Sequence, residues 1–245
     1  MKAYVRLAIV LSVILLFAGG VYLGAEAGWG RLQPVEVVME PNSDQPQLFN
    51  RIQSSLEEEF KSYQGRWLWQ ASLPQVLKQV QSDRRVRSAR INRVFPNRLK
   101  IEIEPQQPVM AYADEVGRLF PIATDASLLP ALPINEVRDL PLLRGKVFKT
   151  ELNLREQAIA LLKALPESGP LARERVAEIF YSEKNGFSLM LIQNGIEVRL
   201  GTSDIERKAE RIARVLNYLQ DQQLRGRVID ARFAKKVVVR LRNAP

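Results

Sequence analysis

The chain has 245 residues, 46% hydrophobic and 26% charged, which is ordinary globular usage for one large or two modest domains and excludes a disordered chain. It contains no cysteine and no histidine, which removes disulfides, thiol chemistry, thiolate metal sites and the commonest general base and metal ligand. The formal charge of +9 is concentrated in Arg84–Lys100 and Arg225–Arg242, each with seven basic residues, and neither stretch is interleaved with aromatic platforms, so both read as solvated strand faces and not as a nucleic-acid footprint.

From Leu7 to Leu23 no residue is charged; Lys2 and Arg6 precede this run and Glu26 follows it. That pattern predicts a short cytoplasmic tail over 1–6, a transmembrane helix over 7–25 and an exported remainder, positive side inward. Ala25-Glu26-Ala27 resembles a signal-peptide cleavage site, but the apolar run is longer than such peptides usually carry, which favours a retained span. A linker over 26–34 leads to a strand at Val35–Met39, ended by Pro41. Leu48, Ile52, Leu56 and Phe60 recur every four residues and predict a helix from about Pro46 to Ser62; Glu57, Glu58 and Glu59 are its solvated face. Trp67-Leu68-Trp69 lies in a loop, expected to pack between this helix and a second one capped by Ser72 and carrying Leu73, Val76, Leu77 and Val80.

Val86 to Val109 reads as a hairpin. Ala89, Ile91, Phe95, Leu99, Ile101 and Ile103 share one parity and predict a dry face, with Pro96-Asn97-Arg98 as a three-residue loop and Asn97 left-handed. Arg93 falls on that dry face, to be paired with an acid or turned outward by a bulge. The order strand, helix, helix, strand, strand is a small α+β unit over 35–105. At this point Val86, Ala89, Arg93, Pro96, Leu99, Ile101, Glu104, Pro108 and Val109 resemble the end of the POTRA domain in the FtsQ/DivIB cell-division family, where a Pro-rich hinge introduces a second domain.

The resemblance continues through Tyr112, Gly117, Leu119 and Phe120 and through Leu140-Pro141-Leu142-Leu143-Arg144-Gly145. Pro121–Asp139 reads as a loop, and Glu151–Leu165 as a helix with Leu154, Ala158, Leu161, Leu162 and Leu165 inward. Strands follow at Val176–Tyr181, Phe187–Ile192 and Ile196–Leu200, joined across Lys184-Asn185-Gly186 and Asn194-Gly195. Ser203 with Glu206 predicts a capping box opening a helix that buries Ile205, Ala209, Ile212, Val215, Leu216 and Leu219 and ends near Gln222. A last hairpin turns around Ala234-Lys235-Lys236, with Ile229, Ala231 and Phe233 alternating before it and Val237, Val239 and Leu241 after. Asp230-Ala231-Arg232-Phe233 is similar to the family's DLRY-like strand, with phenylalanine in place of tyrosine. The turn after the first strand, Glu40-Pro41-Asn42, also departs from the family's usual Gly-Asn.

The fold class expected is therefore α+β: a single N-terminal transmembrane helix, a POTRA-like β-α-α-β-β domain, and a mixed β-rich domain with two helices over 106–245. No phosphate-cradling loop, metal cluster or activated nucleophile is present, so no cofactor, small-molecule substrate or catalysis is expected. The resemblance implies a non-enzymatic, single-pass inner-membrane protein of the divisome that links FtsB and FtsL-type partners during septum formation, bound mainly through its last strands. The contact residues it points to are Phe233, Ala234, Lys235, Lys236 and Val237, on an edge able to accept an added strand. The same lysines also suit an edge guarded against aggregation. POTRA units serve as well in polypeptide transport and outer-membrane assembly, which is the second functional class, and an exported nucleic-acid or cell-wall binder is a third.

Overall fold

The computed structural model describes residues 2–26, 28–41, 46–133, 140–192 and 195–242, and the chain divides into two compact units, Met1–Gln106 and Gln107–Pro245. The first begins with helix α1, Lys2–Glu26, whose side chains are described from Val10 onward and stand exposed, Leu16 at 77% and Phe17 at 75%. Among the described residues no helix is long and apolar enough to cross a membrane.

The rest of the first unit is built from β1 (Glu36–Met39), α2 (Pro46–Phe60), α3 (Leu73–Gln81), β2 (Val86–Val94) and β3 (Arg98–Pro105). The sheet order is β1-β3-β2, with β1 parallel to β3 and β2 antiparallel to it. The parity of the hairpin holds: Ile91 pairs with Ile101 and Ala89 with Ile103. Ile52, Val76, Val80, Leu99, Ile101 and Ile103 have no exposed surface, so the apolar stripes of both helices close over the dry face of the sheet. Each such side chain contributes about 1.5–3 kcal/mol by leaving water.

Four details differ from expectation. Val94 pairs with Arg98, so the hairpin loop is Phe95-Pro96-Asn97; Phe95 leaves the dry face and is 80% exposed, and Asn97 is not left-handed. Arg93 meets neither an acid nor a bulge: it donates through Nε to the Leu68 carbonyl at 3.2 Å and through Nη2 to the Ala71 carbonyl at 2.6 Å. It thereby satisfies backbone acceptors of the loop between α2 and α3. Ser72 occupies the N-cap of α3 without bonding through its side chain; its carbonyl accepts from Gln75 and Val76 instead. Of the tryptophan loop only Leu68 is buried, and Trp69 is 66% exposed, so the loop does not pack its indoles between the helices. The turn at Glu40-Pro41-Asn42 reaches outside the described residues at Asn42.

The second unit holds β4 (Pro108–Ala113), β5 (Leu119–Ala123), β6 (Leu142–Arg144), the short α4 (Val147–Thr150), α5 (Leu152–Ala164), β7 (Val176–Ser182), β8 (Gly186–Leu191), β9 (Glu197–Gly201), α6 (Ile205–Asp221), β10 (Gly226–Asp230) and β11 (Val238–Leu241). They form one eight-stranded sheet in the order β11-β10-β9-β8-β7-β6-β4-β5. The helices α5 and α6 bury Ala158, Leu161, Ile212 and Leu216 with Leu143, Ile179, Leu189 and Val198 of the sheet. The run expected as a loop from Pro121 begins instead as strand: Pro121, Ile122 and Ala123 belong to β5, where a proline is tolerated because this terminal strand has a strand partner, β4, on one side alone. Residues 134–139 of that run lie outside the described residues.

Gly186, at φ +66°, enters β8 so close to Gly201 that an added Cβ would stand 2.6 Å from its backbone, which explains the glycine closing the Lys184-Asn185-Gly186 turn. Asn194, half of the expected two-residue turn before β9, lies outside the described residues. Asp204, left-handed at φ 53°, holds the N-cap of α6 in place of Ser203, and no side-chain cap forms there. α6 buries one residue the sequence does not announce: Lys208 is 5% exposed and donates to the Leu200 carbonyl at 2.8 Å.

Candidate functional site

The last turn of the sheet is set by two acid–base pairs. β10 runs parallel to β9 and places Asp230 beside Arg199. Asp230 accepts three bonds from Arg232, through the backbone N–H at 3.2 Å, Nε at 2.9 Å and Nη2 at 2.6 Å. Arg232 also donates to the side-chain oxygen of Asn185 in the β7–β8 turn, and the Ala231 N–H donates to the Arg199 carbonyl at 2.9 Å. On β9 itself Arg199 pairs with Glu197 at 2.7 Å. The hydrogen bonds from Arg232, helped by its charge and that of Arg199, hold the Asp230 carboxyl below the usual aspartate range against the opposing effect of burial. This clamp ends β10 and turns the chain outward at Phe233.

Phe233 is consequently not a strand residue, as the alternating pattern suggests, but part of the connection Ala231–Val237 between β10 and β11. The reason is the pairing of Asp230 with Arg232, which bends the chain one residue after β10 ends. Phe233 is 43% exposed, and the Lys236 ammonium lies 5.1 Å from its ring centre. Arg211 of α6 donates to the Ala234 carbonyl at 2.8 Å and so anchors the connection to the helix. Ala234, Lys235 and Lys236 are exposed, and Val237 is half-buried. The structure thus brings the five sequence-predicted residues together in one connection, with Val237 alone turned toward the interior.

β11 pairs with β10 on one side, Val239 against Ile229 and Val238 against Asp230, and is the terminal strand of the sheet on the other. Beside it runs an open groove of ≈ 530 Å³, walled by Arg211, Val215 and Tyr218 of α6 and by Val237, Val239 and Leu241. Tyr218 is 60% and Leu241 47% exposed. Of the α6 wall, sequence reasoning places only Val215, as part of the buried stripe, and misses Arg211, Arg214 and Tyr218 beside it. Their signal is a second stripe at helical spacing, Arg211, Arg214, Val215 and Tyr218, in which an aromatic residue stands off the core face. A surface strand beside an apolar groove, fringed by Arg211, Arg214, Lys235 and Lys236, offers backbone groups for strand addition, an apolar seat for side chains and a cationic rim. Among the described residues no group of three or more acidic side chains is placed to hold a metal ion.

The chain matches the FtsQ-type POTRA domain over residues 52–105 and the C-terminal region of the cell division protein FtsQ/DivIB over residues 105–232. The second match ends at Arg232, so it includes β10 and stops short of β11. Among the relatives that share this similarity, each of the following three is named cell division protein FtsQ. The protein of Geobacter sp. (strain M21) is 28% identical over 186 residues, 72% of this chain and 66% of its own length. Those of Geotalea daltonii and Syntrophotalea carbinolica are each 24% identical over 184 residues, 72% of this chain and 66% and 64% of their own lengths. The chain thus spans just under two thirds of the length of these relatives. With a family match that runs from the last strand of the first unit to the clamp at Arg232, this chain belongs to the FtsQ/DivIB family of cell division proteins.

Proposed function

We propose that this chain is a non-enzymatic, bitopic scaffold of the bacterial divisome. In this reading α1 spans the inner membrane with its N-terminus in the cytoplasm, residues 35–105 form the POTRA-like domain and residues 106–245 the FtsQ-type β-domain in the periplasm. The anchor is supported by the uncharged run Leu7–Leu23 within a continuous 25-residue helix, ~37 Å long at ~1.5 Å per residue. The β-domain recruits FtsB and FtsL-type partners at the septum by taking a partner segment along β11. The observation that carries this reading is the surface edge of β11 beside the groove walled by Val215, Tyr218, Val237 and Val239. Backbone pairing supplies the affinity, the groove seats alternate side chains, and Lys235, Lys236, Arg240 and Arg242 favour an acidic segment.

Phe233→Ala, or termination after Arg232, should abolish co-purification of the membrane-inserted chain with an FtsB/FtsL pair. Undiminished co-purification sinks strand addition at this edge. A fluorescent fusion supports the divisome reading by a mid-cell ring, whereas a uniform envelope signal overturns it in favour of polypeptide transport or wall binding.

A further inference from the structure

The tryptophan loop is left unexplained by the core it flanks. The chain contains three tryptophans, and all of them gather at the end of α1. The Trp29 N–H donates to the Gly24 carbonyl at 2.8 Å, folding the residue back onto the last turns of the helix, where its ring passes 3.5 Å from where a Cβ on Gly24 would stand. The following residues pair with the loop before α3: the Leu68 N–H donates to the Gly30 carbonyl and the Leu32 N–H to the Arg66 carbonyl, both at 2.7 Å, around a bridge between Arg31 and Trp67. Trp67 and Trp69 stack with ring centres 4.8 Å apart directly over Gly30, whose φ is +85° and where a Cβ would come within 3.0 Å of Trp69.

This arrangement is not a core. Leu68, at 7% exposure, already fills the inward side, while Trp29 and Trp69 are 62% and 66% exposed. Arg31 lies 5.8 Å over the Trp67 ring and Arg66 5.1 Å over that of Tyr63. In the last turns of α1 Tyr22 is 64% and Leu23 66% exposed, and the Tyr22 hydroxyl donates to the Glu26 carboxylate at 3.0 Å. Indole and phenol rings interleaved with guanidinium groups, set a few residues beyond the uncharged run Leu7–Leu23 of α1, match the layer where hydrocarbon gives way to phosphate.

We propose that the face made by Trp29, Arg31, Arg66 and the Trp67–Trp69 stack is a headgroup-docking surface, seated in the interfacial layer of the membrane in which α1 is anchored. The indoles lie among the lipid esters, and Arg31 and Arg66 pair with lipid phosphates. The surface fixes the first unit against the bilayer, because the backbone pairing of residues 30–32 with 66–68 couples the loop to the end of the helix. The inference rests on the reading of α1 as a span.

The test uses the full chain reconstituted into phosphatidylethanolamine–phosphatidylglycerol vesicles, with the native tryptophans as probes. In a Trp29→Phe variant only the Trp67–Trp69 stack emits. Docking predicts blue-shifted emission, shielded from aqueous iodide and quenched roughly two-fold when the lipids carry bromine near the ester end of their chains. Iodide-accessible emission from a chain that stays with the vesicles through a carbonate wash overturns the docking surface and leaves the anchor standing. A chain released by that wash overturns both readings. Shielding that arises only after division-protein partners are added, and not in vesicles alone, overturns lipid as the occupant.

Discussion

The eight-stranded sheet has two terminal strands, β5 and β11, and the protein finishes them in opposite ways. Along β5 the chain doubles back: the Ala123 N–H donates to the Ser127 carbonyl, the Leu129 N–H to the Pro121 carbonyl and the Leu132 N–H to the Leu119 carbonyl, all within 3.0 Å. Leu129 is 2% exposed, and Arg155 of α5, itself 7% exposed, fastens this cover by donating to the Ala126 carbonyl at 2.8 Å. Along β11 the described residues place no such cover, and Val238, Arg240 and Leu241 are exposed. Among the described residues one edge is capped by the chain's own backbone and the other stands open beside an apolar groove. One end completes the fold, and in the reading proposed above the other receives a partner strand.

The comparison can be broken by placing the same charge at each end. Leu129→Asp should cost roughly 4 kcal/mol, because a carboxylate would be buried where a leucine now fills the cover. Leu241→Asp on β11, at a side chain 47% exposed, should cost less than about 1 kcal/mol while blocking partner capture. Urea unfolding midpoints measure both, and equal losses would erase the distinction between the two edges. Next in size, Arg155→Ala should lower stability by about 3 kcal/mol, since the guanidinium also satisfies the carbonyls of Phe148 and Lys149 at 2.8 and 3.2 Å. Thermal unfolding of this variant checks whether the cover depends on that one side chain, and an unchanged transition shows that it does not.

The smallest effect expected is one of pH at the clamp leading to β11. The folded Asp230 carboxyl titrates below its unfolded value of 3.8, chiefly through its hydrogen bonds from Arg232. Its contribution is therefore complete above that value and lost as pH falls through the folded pKa. Asp230→Asn should flatten the acid limb of the stability curve at the β11 end while leaving the neutral region parallel to wild type. An acid limb identical to that of the wild type would show that the clamp adds nothing.

Much of this architecture was legible because a buried face repeats. The period of two in Ile91, Leu99, Ile101 and Ile103 and the four-residue spacing of Ile52, Leu56 and Phe60 each state which side faces the core, and the pairing obeys them. What was not legible depends on single polar contacts between distant segments. Nothing in the spacing of Arg93 says that it reaches the carbonyls of Leu68 and Ala71, and nothing near Phe233 says that Asp230 and Arg232 end the strand before it. The α6 wall of the groove was hidden for another reason: a helix with two useful faces shows its buried stripe more loudly than its exposed one. The β5 cover was hidden by its own prolines, since Pro121, Pro130 and Pro133 read as loop while the first of them sits in a strand.

Arg93, Arg155 and Lys208 share a habit: each sends its cation to backbone carbonyl oxygens. A carbonyl cannot take up a proton in the way a carboxylate does, so acidification does not strip these cations of their acceptors. Lys208 gives up its own proton more easily than an exposed lysine, because burial disfavours its charge. With no imidazole or thiol anywhere in the sequence, the interior has no ordinary group that switches near neutrality. Near neutrality such contacts hold while the acidity of the surroundings drifts, and a pH response would have to arise in groups outside them.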